Sequence, residues 1–277
     1  MGRSRLSTIS VHVVRHLLLL LTGILIILPF LWMVLASLKN GAEIFQPPTS
    51  WLFTSWSFFN YQEVWRELPF ARLYFNSIIV ALTVTVSQVL TGSLAGYAFA
   101  RLRFPGRDLL FYIYLGSLMV PHQVTLIPSF LILKWLGFID TYYALTLPFL
   151  AGAFGAFLMR QAFLEIPQAL EDAARIDGCT RFQIFSRIFL PLTRPTLVAL
   201  AIFIFLWQWN SLLWPLIVTQ SPALRTLPLG LATLKTEMGP DWSLLMAANT
   251  MVALPMLLIF LLAQRAFIRG LTLVEIE

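Results

Sequence analysis

EIPQALEDAARIDGCTRFQIFSRIFLP, residues 165–191, carries its own stops and starts. Glu165-Ile166-Pro167 has the form of a helix start, because proline in a first turn gives up an N–H that would find no partner there. Leu170, Ala173 and Ala174 follow on one face at helical spacing, and the two alanines make that face thin enough for another backbone to approach. Asp177-Gly178 stops the helix, since glycine tolerates the left-handed dihedrals of a helix C-terminus. Thr180 with Gln183 three residues on has the form of a capping box, so a second helix starts at once. Phe182, Phe185 and Phe189 mark its apolar side, and Pro191 closes it. The stretch predicts two short helices joined by a tight glycine turn. Their apolar faces need a partner.

Outward from this stretch, the chain becomes strongly apolar. Six runs hold no Asp, Glu, Lys or Arg and approach the ~20 residues that cross a bilayer core. They are Leu17 to Leu38, Leu73 to Ala100, Leu109 to Leu133, Thr141 to Met159, Pro195 to Leu224 and Ser243 to Gln264. The third and fifth contain breaks and loop residues. The runs lack the strict alternation of a membrane barrel, so they predict helices. The expected organisation is a segment 1–16, spans 17–38, 73–100, 109–133, 141–159, 195–218 and 243–264, connections 39–72, 160–194 and 219–242, and a tail 265–277. The first run is too long for a signal-peptide core of about 7–15 residues, although Val34 and Ala36 mimic a cleavage site; it is expected to stay as a span.

Charge placement predicts orientation. The chain of 277 residues is 58% apolar and 12% charged, with mean hydropathy +0.80. A soluble domain carries about twice that charged share. With the N-terminus in the cytosol, Arg3, Arg5, Arg15, Arg101, Arg103, Arg107, Arg160, Arg175, Arg181, Arg187, Arg194, Arg265 and Arg269 all lie on the cytosolic side, 13 of the 19 basic residues. That is the positive-inside arrangement, and it puts both termini and the loop 160–194 in the cytosol. The net charge of +6 is scattered singly, which excludes a nucleic-acid surface. The aromatic residues Trp51, Trp56, Phe58, Phe59, Tyr61 and Trp65 in the outer connection read as an interfacial belt.

The chain carries no enzyme signature. It has no GxxxxGK[ST] phosphate loop and no GxSxG frame. His12 and His16 are four apart but have no third ligand near, and the single Cys179 forms no framework. Glu171 and Asp172 are adjacent, so on a helix they point in different directions and do not make an acid–base pair. Gly92, Gly96 and Ala100 form a small-residue stripe for close helix approach. Pro29, Pro121, Pro128, Pro148, Pro215 and Pro255 interrupt spans. Amides at membrane depth must face protein or a watery path. Asn76, Gln88, Gln123, Gln208, Asn210 and Asn249 are the candidates. Trp207, Asn210, Ser211 and Trp214 are spaced i, i+3, i+4 and i+7, which on one continuous helix makes a face of rings beside an amide, suited to a sugar or polyol. With Gln123 and Asn249 they form the candidate solute path; the competing reading is inter-subunit packing. An ion-coupled secondary transporter would need a buried ionisable group, and the six runs hold only His122.

The string from Glu171 to Gly178, followed by Ile188-Phe189-Leu190-Pro191, resembles the coupling ("EAA") loop of ABC-importer permeases, with Asp172 standing where alanine is usual. Pro29-Phe30-Leu31-Trp32, Ser37-Leu38-Lys39, Asn76-Ser77, the runs 97–101 and 103–107, Trp209-Asn210 and the run 264–271 extend the resemblance to carbohydrate-uptake permeases over nearly the whole chain. The resemblance implies an all-α, six-span membrane protein with the type I ABC-importer permease fold. Glu171, Ala174, Asp177 and Gly178 would be the coupling positions. It implies a second homologous permease, two nucleotide-binding ATPase subunits that hold the ATP and magnesium, and an extracytoplasmic solute-binding protein. This chain itself would need no cofactor. The expected cargo is a sugar, polyol or glycoside, moved by alternating access across a bacterial or archaeal inner membrane. The acidic tail Thr272 to Glu277 resembles that of glycerol-phosphate permeases, which is the alternative cargo; no basic residue lies inside a span to neutralise a phosphate.

Overall fold

The computed structural model describes residues 3–39, 57–237 and 241–272. Every regular element among them is helical: α1 (Arg3–Ser37), α2 (Phe59–Glu67), α3 (Phe70–Arg101), α4 (Arg107–Gly116), α5 (His122–Trp135), α6 (Tyr142–Thr146), α7 (Ala153–Leu164), α8 (Gln168–Ile176), α9 (Arg181–Ile184), α10 (Leu190–Leu192), α11 (Arg194–Trp209), α12 (Leu213–Val218), α13 (Leu227–Glu237) and α14 (Trp242–Thr272). Val14–Ser37, Phe70–Arg101 and Trp242–Leu261 are each long and apolar enough to cross a membrane. The number reaches six if each of three bent pairs makes one span.

The bends lie at specific sequence breaks. Val120-Pro121 separates α4, with its 3₁₀ extension Ser117–Met119, from α5 at 98°. Proline supplies no N–H to the ladder and pushes the preceding residue into extended backbone. Leu150 to Gly152 separates the α6 segment from α7 at 42°. The expected fifth span, 195–218, is not one helix. It stops at Trp209, leaves Asn210 as C-cap, and resumes as α12 after Ser211-Leu212. Its other end turns by 79° into the segment before it, Arg181–Leu192.

The chain packs as two units. One comprises Met1–Pro69 and Leu231–Leu254. Here α2 is fastened to the end of α1: Asn60 Nδ2 donates to the carbonyls of Ser37 and Lys39, both at 2.8 Å, and Ser37 Oγ lies 2.6 Å from Tyr61 Oη. Of the expected aromatic belt, Phe58, Phe59 and Trp65 are exposed, while Trp51 and Trp56 lie outside the described residues. The apolar side chains of α1 from Leu17 to Phe30 are mostly exposed, as lipid- or partner-facing surfaces are. Asp241 caps the start of α14 by accepting from the N–H groups of Ser243 and Leu244.

The other unit comprises Phe70–Gly230 and Pro255–Glu277, and α3 is its axis. At ~1.5 Å per residue this helix of 32 residues is longer than the ~30 Å hydrocarbon core. It packs most extensively on α7, then on α11. The small-residue stripe explains the first contact. A Cβ on Gly92 would stand 2.9 Å from the backbone of Gly155, and one on Gly96 would stand 2.7 Å from the Cβ of Met159. The α3 side chains also satisfy the carbonyls freed at the Leu150 break: Gln88 Nε2 donates to Phe149, and Ser87 Oγ to Leu150. At the opposite end, Asn76 Nδ2 donates to the carbonyls of Ala223 and Arg225, and Ser77 Oγ accepts from Leu227 N–H. The resembled Asn76-Ser77 pair is thus a clasp for the 222–227 turn.

Candidate functional site

The stretch 165–191 forms the expected helix pair. α8 ends in a Schellman motif: Cys179 N–H donates to the Ala174 carbonyl and Gly178 N–H to that of Arg175, with Gly178 at φ +82°. The capping box at Thr180 is complete. Its hydroxyl accepts from Gln183 N–H at 3.3 Å, and the Gln183 side chain accepts from Thr180 N–H at 2.8 Å. After α9 the chain takes one π-turn, Phe185–Phe189, and runs through α10 into α11.

The face of α8 expected to await a partner, Leu170, Ala173 and Ala174, is covered by the chain itself only at Ala174. Leu170 and Ala173 are exposed, and the residues turned inward are Glu171 and Ala174. The cause is Arg101, the last residue of α3, whose signal in the sequence was only its place in a resembled motif. Its guanidinium donates to the carbonyls of Phe163 and Ile166, lies 5.0 Å over the Phe189 ring, and stands 3.9 Å from Glu171 Oε2. Arg175 closes on the other carboxylate oxygen of Glu171 at 2.5 Å. A charge this deep needs its counter-charge beside it, and the pair draws Glu171 inward in place of Leu170. Asp172 points outward, as adjacency required. Around this pair Tyr97, Phe163, Phe185 and Phe189 interlock, with Tyr97 and Phe189 centroids 5.2 Å apart and nearly perpendicular. The aromatic cluster joins α3, α7 and the π-turn into one body.

The tip of the pair faces away from that body. Asp177 and Gly178 are exposed, and so are Ile176 at 86% and Phe182 at 68%. Of the four expected coupling residues, therefore, Glu171 and Ala174 are interior to the pair and Asp177 and Gly178 lie on its surface.

The expected solute face does not form on one helix, because α11 stops at Trp209. Trp207 is exposed; Asn210 turns its Nδ2 back to the Leu206 carbonyl at 2.8 Å; Ser211 lies in the break. Trp214, on α12, is fully buried and donates to the Ala144 carbonyl. Its ring and that of Phe149 flank His122. Gln123 is exposed on α5, and Asn249 Nδ2 bonds the Leu245 carbonyl within α14. A cleft of about 420 Å³ forms elsewhere on this unit. Trp207 lines it together with Gln88, Phe149, Phe154 and Gln208. The Gln208 Nε2 is buried with no hydrogen-bond partner. Sequence reading named Gln88 and Gln208 only as amides needing partners; their convergence with Trp207 depends on α3 lying beside α11. Within α1, Nδ1 of His16 lies 2.7 Å from the His12 carbonyl, and among the described residues no group of three or more His, Cys, Asp or Glu could hold a metal.

This arrangement, a helix pair buttoned under a bundle of broken apolar helices, is that of a transporter membrane subunit. Residues 88–273 match the family described as binding-protein-dependent transport system inner membrane component, and the chain belongs to that family. Over 249 residues it is 37% identical to the arabinooligosaccharides transport system permease protein AraQ of Halalkalibacterium halodurans, covering 89% of each chain. It is 33% identical to the sn-glycerol-3-phosphate transport system permease protein UgpE of Yersinia enterocolitica, covering 92% of this chain and 94% of that one. The solved structure of a bacterial ABC transporter involved in the import of the acidic polysaccharide alginate superposes with TM-score 0.82, at 23% identity, over 94% of this chain and 98% of that one. The fold is the all-α type I importer-permease fold, and the chain is a membrane permease rather than an enzyme.

Proposed function

We propose that the chain is one permease subunit of an ATP-driven importer for a carbohydrate, and that the helix pair α8–α9 receives the motion of a nucleotide-binding ATPase subunit. The observation that carries this reading is the pair's construction. Both helix ends at the turn are capped, its root is locked to α3 and α7, and its tip presents Ile176, Asp177, Gly178 and Phe182 with nothing over them among the described residues of this unit. Such a body transmits a push without bending. The charge bias of the loops orients it with both termini and the pair on the cytosolic side. A second permease, two ATPase subunits that hold ATP and magnesium, and an external binding protein complete the assembly. Closure of the ATPases on ATP draws the coupling pairs together and opens the bundle outward; hydrolysis returns it.

The cleft at Trp207 is the proposed solute path in this subunit. Its polar lining groups are the amides of Gln88 and Gln208, beside aromatic rings, and among the described residues no charged side chain lines it. Rings and amides serve the apolar faces and hydroxyls of a neutral sugar better than a phosphate, which favours a sugar, polyol or glycoside over glycerol phosphate. The test is ATPase activity of the reconstituted complex with binding protein and candidate solutes. Stimulation by a neutral oligosaccharide and not by glycerol 3-phosphate is expected. Stimulation by glycerol 3-phosphate alone would overturn the cargo, and an ion gradient driving uptake without ATP would overturn the class.

A further inference from the structure

A second cleft, about 360 Å³, lies where α3 ends beside α8. It is lined by Arg101, Arg103, Arg107, Arg175 and Arg181 around Glu171, with no role in the solute path. Arg175 and Arg101 share the Glu171 carboxylate, and Arg107 faces Asp108 at 3.0 Å. Five guanidiniums against two carboxylates leave an excess of three positive charges. Among the described residues no carboxylate stands within ion-pair distance of Arg103 or Arg181. The Arg101 side chain is nine-tenths buried, and its Nε, although near Glu171, has no hydrogen-bond partner. A ring of like charges is costly, and one anion in the cleft relieves it, lowering as well the field around the sealed Arg101 Nε.

Guanidinium forks match the oxygen geometry of a phosphate. The cleft's surroundings indicate where the phosphate comes from. Arg103 and Arg107 also line an adjoining cleft of about 460 Å³ that reaches Leu109. From there α4 continues as an apolar surface: Leu109, Leu110, Tyr112 and Ile113 are 51% to 69% exposed. A free phosphate has no use for that surface, whereas acyl chains do. Basic pockets at the ends of membrane helices are suited to anionic headgroups. We propose that this arginine cleft binds the phosphate of an anionic phospholipid whose acyl chains lie along α4. The leaflet, though not the phosphate chemistry, rests on the orientation proposed above. The lipid would bridge Arg103, in the loop after α3, to Arg175 and Arg181 of the helix pair, tying the pair's root to the membrane surface.

The test is binding to the full chain purified in detergent, read by native mass spectrometry, so that it does not depend on transport. Saturable binding of dioctanoyl phosphatidylglycerol is expected, with weak binding of dioctanoyl phosphatidylcholine. Arg103→Gln with Arg181→Gln should weaken the first by about tenfold, and the lysine versions of both should largely restore it. Arg103→Gln alone, at an exposed loop position, serves if the double variant fails to fold. Equal binding by wild type and the glutamine variants would overturn the site. Binding of inorganic phosphate without phosphatidylglycerol would overturn the lipid source. No binding of either to the isolated chain would also overturn the proposal and point to a carboxylate of the partner ATPase as the occupant.

Discussion

Glu171 and Asp140 show how much one side chain holds in this fold. Glu171 is 3% exposed, with the nine-tenths-buried Arg101 beside it. Glu171→Ala strips the countercharge from that guanidinium and should cost about 3–5 kcal/mol, the usual penalty for breaking a buried pair from one side. Glu171→Gln keeps the shape and should cost about 1–3 kcal/mol. Thermal unfolding of the purified chain measures both, and an alanine variant as stable as wild type would refute the anchoring role. Asp140 is a surface counterpart. It sits at φ +59°, and its carboxylate accepts from the N–H groups of Gln220 and Ser221 and from Ser221 Oγ, at 2.9 to 3.1 Å. The backbone hydrogen bond from Ser221, ahead of the others, holds its carboxyl below the ordinary aspartate range. A lowered folded pKa means a contribution present above the unfolded pKa of about 4 and lost as pH falls below it. Asn also tolerates left-handed backbone, so Asp140→Asn isolates the charge. The variant should be less stable than wild type at pH 7, and the gap should narrow towards pH 3; a constant gap would show that the charge contributes nothing.

Among the elements, the α3–α7 pair has the most extensive contact, and its glycines set the distance. Alanine ordinarily favours a helix over glycine by about 1 kcal/mol. At Gly96 the added methyl would stand 2.7 Å from Met159 Cβ and 2.9 Å from the Arg160 nitrogen, and backbone cannot yield cheaply. Gly96→Ala should therefore lower stability by about 1–3 kcal/mol, against the sign that propensity alone gives. A rise in melting temperature would contradict the packing. That stripe was legible in the sequence because small residues at spacing four have one common use. The helix pair was legible too, since Pro167, Gly178, Thr180 and Gln183 are local signals that act within a few residues of themselves. The face of Trp207, Asn210, Ser211 and Trp214 was misread for the converse reason. Its spacing assumes a continuous helix, whereas Pro215, in the first turn of α12, has no N–H for the Ser211 carbonyl and so favours a restart just before it; tertiary contacts, Trp214 to Ala144 and Asp140 N–H to Val218, hold the broken form. The inward turn of Glu171 was equally hidden, because Arg101 lies 70 positions away and nothing local says that the two meet.

At the scale of the whole molecule, the proposed coupling requires that a push on the tip reach the bundle, and two variants separate the tip from its attachment. Gly178 needs its left-handed backbone, yet a Cβ there would meet nothing within 4 Å. Gly178→Val thus strains the turn by about 1–2 kcal/mol without any clash. It should leave the chain in the membrane at near-normal stability, while uptake by the assembled importer falls and ATP hydrolysis continues. Normal uptake would refute the coupling assignment. Phe189 is the opposite case: fully buried, ringed by Tyr97 and Phe163, and under the Arg101 guanidinium. Phe189→Ala should cost about 3–5 kcal/mol and loosen the pair's root while the tip remains intact. Both variants should lower the ratio of solute moved to ATP hydrolysed, but the second should lower the melting temperature by at least about twice as much as the first. If Phe189→Ala is destabilised and its transport ratio is unchanged, motion does not travel through the aromatic cluster, and the direct run of α10 into α11 is left as the covalent route from tip to bundle.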